Sequence, residues 1–213
     1  MALPSRVGWL SESLRYIASL PLLYVLTHQL IFDILQLAQF MRRTTTFQAL
    51  TEAQVHFDDY GIQVNSLPTT RTFGETSKLG ISCREWDWQL SSLAQVFTSF
   101  FPSIYMVEHL YIYGPRNLPT QWQDDIENGQ WLEIFHPFTG VKYLYVSWKF
   151  AQFITPALQE LARESVAEVL PALESLSLEE LQLSGSVQEA IGQFVAARQS
   201  LGHTVAVSDW NRT

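Results

Sequence analysis

Short runs that alternate apolar and polar residues recur along this chain, separated by longer stretches with helical apolar spacing. The segment from Met106 to Val146 shows the arrangement in full. It begins with Val107-x-x-Leu110-x-Ile112 and ends with Val141-x-x-Leu144-x-Val146, the same six-residue phrase 34 residues further on. A third clear copy, Leu173-x-x-Leu176-x-Leu178, starts 32 residues after the second. Weaker copies stand at Leu20-x-x-Leu23-x-Val25 and Leu50-x-x-Ala53-x-Val55. In each phrase the last two apolar positions lie two apart, so on a strand they face the same side. This predicts Leu110, Ile112, Leu144 and Val146 pointing inward, with the residues between them on the opposite face.

The intervening stretches predict helices. Gln29 to Arg43 carries an apolar stripe and ends in Arg42-Arg43, a basic pair that suits the negative end of a helix dipole. Trp86 to Phe100 is ended by Pro102. Gln121 to Phe135 has Asp124, Asp125 and Glu127 toward its start and Gly129 as a point of kinking. Further helices are expected over Phe150 to Ser165 and from Ser186 to about Ser200. Ser186 and Glu189 have the spacing of a capping box, and Gly202 closes the helix.

Shorter elements fill the gaps. Val55-His56-Phe57 and Ile62-Gln63-Val64 flank Asp58-Asp59-Tyr60-Gly61, which reads as a hairpin. Pro68 to Ser77 reads as an exposed loop, Leu79 to Cys83 as a short strand, Gly114 to Asn117 as a turn and His203 to Val207 as a last strand. Residues 1–15 carry little pattern. Strand, loop and helix thus repeat at irregular intervals of roughly 25–35 residues, as in leucine-rich repeats. The expected architecture is one α/β domain over residues 1–213. It is a short leucine-rich-repeat-like solenoid, a curved parallel sheet with helices on its convex side. The asparagine that usually follows the strand in such repeats is missing. A doubly wound α/β sheet would give the same alternation, but no glycine-rich phosphate loop follows any strand.

Composition narrows the function classes. Hydrophobic residues make up 47% and charged residues 16%, enough apolar material for a core. The net charge of -8, with no basic run longer than Arg42-Arg43, argues against gripping a nucleic acid backbone. The most hydrophobic window, Tyr16 to Met41, is interrupted by His28, Gln29, Asp33, Gln36 and Gln39, so no membrane span is expected. Glu12, Pro21 and the lack of a small-residue cleavage site argue against a signal peptide. Cys83 is the only cysteine. No internal disulfide can form, which fits an intracellular setting, cytoplasm or nucleus.

No catalytic constellation is legible. Asp124, Asp125 and Glu127 lack the alternating donors of a calcium loop, and they read as a helix start favoured by the dipole. His28, His56, His109, His136 and His203 include no pair at helical ligand spacing, and one cysteine does not complete a zinc set. No serine stands in G-x-S-x-G, and no Walker or G-x-G-x-x-G loop occurs. No catalytic residue, metal or cofactor is therefore expected.

The outward strand positions are the candidate binding set. They are Glu108, His109, Tyr111 and Tyr113, then Lys142, Tyr143, Tyr145 and Ser147, then Glu174, Ser175, Ser177 and Glu179. Parallel pairing would place Tyr111 beside Tyr145. His109, Tyr111, Tyr113, Tyr143, Tyr145 and Ser147 are the expected protein-binding residues, a tyrosine row bordered by acids. The alternative is that the tyrosines only cover the sheet.

Several segments carry a family resemblance. They are Asp87 through Val96, Trp122 through Asn128, Leu132 through Tyr145, Ala157 through Leu161 and the stretch from Val187 to Trp210. These resemble the C-terminal region of F-box-like proteins of mushroom-forming fungi, over roughly residues 29–213. In that family an F-box recruits a ubiquitin-ligase scaffold and the repeat region selects a substrate. No F-box is recognisable here, because Leu20-Pro21 and Ile31-Phe32 imitate its core at too long a spacing. The resemblance implies a non-enzymatic module that binds a protein partner, and a monomer is expected. A truncated structural domain without a partner, and a hydrolase with a dispersed site, are the alternatives.

Overall fold

The computed structural model describes residues 23–27, 50–58, 61–68, 77–82, 86–100, 104–114, 128–162, 169–179 and 185–210. The strands in chain order are β1 Leu23–Thr27, β2 Leu50–Asp58, β3 Gly61–Pro68, β4 Ser77–Ser82, β5 His109–Tyr113, β6 Tyr143–Val146, β7 Ser175–Leu178 and β8 Ala206–Asp209. The α-helices are α1 Trp86–Phe100, α2 Asn128–Phe135, α3 Trp148–Glu160 and α4 Gly185–Ser200. A 3-10 turn, Ile104–Met106, leads into β5.

All eight strands belong to one sheet, in the order β1-β4-β3-β2-β5-β6-β7-β8. The repeated phrase explains half of it. β2, β5, β6, β7 and β8 are parallel neighbours in one continuous register. Ala53, Leu110, Leu144, Leu176 and Val207 form one row across them, and Val55, Ile112, Val146 and Leu178 form the next. The leading residues Leu50, Val107, Val141 and Leu173 are all buried. The phrase is therefore a register mark, and each copy feeds the same layer of the core. Burying one such side chain stabilises by about 1.5–3 kcal/mol.

The other half departs from an all-parallel sheet. The hairpin foreseen around Asp58 is present, with β3 antiparallel to β2, and β3 is also antiparallel to β4. β1 is parallel to β4 at the far edge. The weak phrase at Leu20 and the strand at Leu79 therefore do not continue the phrase register. A tight turn can only return the chain antiparallel, so the hairpin takes these strands out of the repeat. The sheet is mixed α/β and mostly parallel.

The helices pack on one face in chain order, α1 beside α2, α2 beside α3 and α3 beside α4. The core lies between them and the apolar rows. Phe57 from β2, Trp131 from α2 and Phe150 from α3 meet there with ring centroids 4.7–5.9 Å apart. α1 has the predicted ends. α3 starts at Trp148, two residues early, and contains Pro156, which has no N–H to continue the helix ladder. The adjacent Thr155 hydroxyl donates to the Ala151 carbonyl at 2.7 Å. In α4 Ser186 lies inside the first turn rather than before it. Gly202 closes that helix at φ +85°, a conformation that glycine alone adopts without strain. β8 begins at Ala206, three residues later than expected. Gly129 is the second residue of α2, not a kink within it.

Arg198 of α4 is the largest polar side chain in the interior. Its guanidinium donates to the Leu170 carbonyl and lies 5.6 Å over the Phe194 ring. Leu170 turns the chain into β7 with φ of 50°, in the left-handed region. Among the described residues no helix is long and apolar enough to cross a membrane. The predicted helix Gln29 to Arg43, the carboxylates Asp124, Asp125 and Glu127, and Cys83 lie outside the described residues.

Candidate functional site: an aromatic sheet face

Alternation along the strands decides what stands on the face opposite the helices. Glu52, Gln54, His56 and Asp58 of β2 take the positions between the buried Ala53, Val55 and Phe57. His109, Tyr111 and Tyr113 do so on β5, and Tyr143 and Tyr145 on β6. Parallel register then aligns like with like. Tyr111 is opposite Tyr145, and the rings stack with centroids 4.2 Å apart and planes 6° from parallel. His109 is opposite Tyr143 and stacks on it at 4.6 Å and 15°. His56 stacks on Tyr113 at 4.2 Å and 9°. Three stacked pairs thus stand side by side on neighbouring strands.

On β7 and β8 the same rows carry small residues. Ser175 and Ala206 continue the His109–Tyr143 row, and Ser177 and Ser208 continue the Tyr111–Tyr145 row. The two serine hydroxyls lie 2.9 Å apart. Trp210 stands just past β8, two positions after Ser208. Its amide donates to the Leu178 carbonyl at 2.8 Å. Its ring reaches Tyr113 at 5.4 Å, Tyr145 at 5.5 Å and Tyr111 at 5.8 Å, tilted by 52–58° to each. Strands are about 4.8 Å apart, so the indole crosses β7 to make these contacts. Ser177 is only 7% exposed as a result.

Carboxylates outnumber cations on and beside this face. The carboxylates Glu52 and Asp58 of β2 occupy face positions, and by register Lys78 of β4 falls in the row of Asn65 and Gln54 on the same face. Along the strand starts runs a charged row, Glu108, Lys142 and Glu174. Lys142 Nζ lies 2.8 Å from Glu108 Oε1, both partly exposed. This hydrogen bond and charge hold the Glu108 carboxyl below its usual range and raise the Lys142 ammonium, which Glu174 also attracts. Burial first, then the charge of Glu52 and the neighbouring Tyr145, pushes the Tyr111 phenol well above the ordinary tyrosine value. His109 Nδ1 is shielded from solvent and has no hydrogen-bond partner among the described residues.

Of the six expected binding residues, five stand on this face. His109, Tyr111, Tyr143 and Tyr145 are partly exposed, and Tyr113 is only 9% exposed between His56 and Trp210. Ser147 is a correction. It is 6% exposed and its hydroxyl accepts the Gly114 N–H at 2.9 Å. The reason is that β6 ends at Val146 and Ser147 turns the chain into α3, so strand alternation no longer applies. His56 and Trp210 were missed. His56 was legible in the Val55-His56-Phe57 alternation. Trp210 lies two positions after Ser208 and so shares its face, but its reach across β7 depends on the small side chains beneath it.

Among the described residues no group of three His, Cys, Asp or Glu side chains is placed to hold a metal ion. What the face offers is contact: flat rings, a few polar edges and negative charge. No protein-family model matches the chain, and no curated protein or solved structure is significantly similar to it.

Proposed function

We propose that this chain is a non-enzymatic protein-recognition module whose aromatic sheet face receives a segment of a partner protein. The reading includes a short leucine-rich-repeat-like solenoid, similar to the substrate-selecting region of an intracellular F-box ubiquitin-ligase adaptor. Its repeat part is supported by four phrase copies in one register, at Leu50, Val107, Val141 and Leu173. The observation that carries the function is the set of three stacked ring pairs on the face opposite the helices. Tyrosine and tryptophan supply large contact area at low entropic cost, and such residues dominate binding energy at interfaces.

The test is quantitative affinity capture with the wild-type chain and a Tyr111→Ala/Tyr145→Ala variant, followed by direct binding of any purified partner. Circular dichroism and thermal melting verify that the variant is folded. The reading expects a partner that binds the wild type directly and is lost from the folded variant. A Glu133→Gln/Glu189→Gln variant, altered at exposed positions of α2 and α4, should keep it. A variant that retains every partner overturns the reading.

A further inference from the structure

The two rings of the upper and lower rows are finished differently on the β7 side. In the row of Tyr111 and Tyr145, the Trp210 ring reaches across β7 to lie beside Tyr145. In the lower row His109 stacks on one side of Tyr143. The other side of that ring looks over Ser175 and Ala206, which continue its row on β7 and β8. Among the described residues no ring covers it, and Ala206 is exposed. The result is a ledge with an aromatic wall and a floor of two small residues.

Charge selects the group. Glu174 directly precedes Ser175 and is exposed at the start of β7. The charged row beside the ledge holds two carboxylates, Glu108 and Glu174, and one ammonium, Lys142, which is bound to Glu108. The face beyond carries Glu52 and Asp58 on β2, with Lys78 farther off on β4, and the whole chain has a net charge of -8. A flat cation is favoured twice, by the ring quadrupole and by this field. Guanidinium is the flat cation of proteins, and it stacks on aromatic faces where a compact ammonium has no plane to offer.

We infer that the recognised segment is arginine-bearing, with one guanidinium stacked on Tyr143 above Ser175 and Ala206 and its charge facing Glu174. This inference rests on the recognition reading and names its ligand chemistry.

Fluorescence anisotropy of the full chain with labelled Gly-Ser peptides tests it. One peptide carries repeated arginines, and its counterparts carry lysine or citrulline at the same positions. Citrulline keeps the shape of arginine without the charge. The arginine peptide should bind tightest, and the citrulline peptide weaker by about tenfold. Ala206→Trp fills the ledge from an exposed position and should abolish arginine binding without changing the melting temperature. Glu174→Gln should weaken it several-fold, and Glu189→Gln on α4 should leave it unchanged. Equal affinity for arginine and citrulline, no binding of any peptide, or full binding by Ala206→Trp overturns the inference. If these occur while a captured partner still depends on Tyr111 and Tyr145, the arginine inference falls and the recognition reading stands. If no partner depends on those tyrosines, both fall.

Discussion

Tyr111 and Tyr145, 34 residues apart in the chain, stack with ring centroids 4.2 Å apart and planes 6° from parallel. The contact follows from two simple facts, equal position within a repeated phrase and parallel register. Each strand alone would expose its tyrosine to water on both ring faces. Pairing removes one face of each ring from solvent. The same rule stacks His109 on Tyr143.

The partly buried Tyr111 phenol gives a pH dependence. Its folded-state pKa is raised above the unfolded value, chiefly by burial and by Glu52. The folded state therefore favours the protonated phenol. This contribution to stability is fully present below the unfolded pKa of about 10 and is lost as pH rises past it. Urea denaturation at about pH 8 and about pH 10.5 should show a fall in stability that is smaller in Tyr111→Phe. An identical fall in both proteins would show that Tyr111 is not its source.

Arg198 ties α4 to the turn before β7. Arg198→Ala removes its hydrogen bond to the Leu170 carbonyl and leaves a void against Phe194. The expected loss is about 2–5 kcal/mol, read from the shift of the urea midpoint. Burial lowers the pKa of this guanidinium, so the charged form carries a desolvation cost. Arg198→Met removes that cost and refills most of the volume, and should recover at least half of the lost stability.

Gly140 and Gly129 separate steric need from chance. A Cβ at Gly140 would overlap the backbone carbonyl of Tyr105, whereas one at Gly129 meets nothing within 4 Å. Gly140→Ala should destabilise by about 1–3 kcal/mol, because a backbone atom must shift. Gly129→Ala, on α2, should be neutral or stabilise by up to about 1 kcal/mol. Thermal melting of the two variants distinguishes them, and equal melting temperatures would contradict the close approach at Gly140.

Ser147 tests the boundary of the binding face. Its hydroxyl accepts the Gly114 N–H inside the protein. Ser147→Ala should cost about 1–3 kcal/mol by leaving that donor without an acceptor. The folded variant should still bind whatever the aromatic face binds. Lost binding at unchanged stability would return Ser147 to the face.

The legible part of the candidate site followed from alternation. Tyr111 and Tyr145 could be placed on one face because each stands between two buried positions, Leu110 and Ile112 or Leu144 and Val146, and Tyr143 because it lies two positions before Tyr145 on the same strand. The same alternation held for His56 on β2, which the count of clear phrases passed over. It failed at Ser147, where the strand gives way to α3 and the period changes from two to that of a helix. Hairpin and helix ends were readable where glycine, aspartate or proline acts on its immediate neighbours, as at Asp58 to Gly61 and before Pro102.

The amino-acid pattern by itself determined which side chains enter the core and which rows align, because inward and outward positions on a strand are local and the phrase copies share one register. Only the tertiary structure decided where β1 and β4 lie, since a strand carries no local mark of its neighbour. It also decided that Trp210 crosses two serines to cover one tyrosine row and leaves the ledge beside Tyr143 open. That contact joins residues 65 positions apart, Tyr145 and Trp210. Its cause is spatial: two small side chains on β7 and β8 make room that no single stretch of sequence displays.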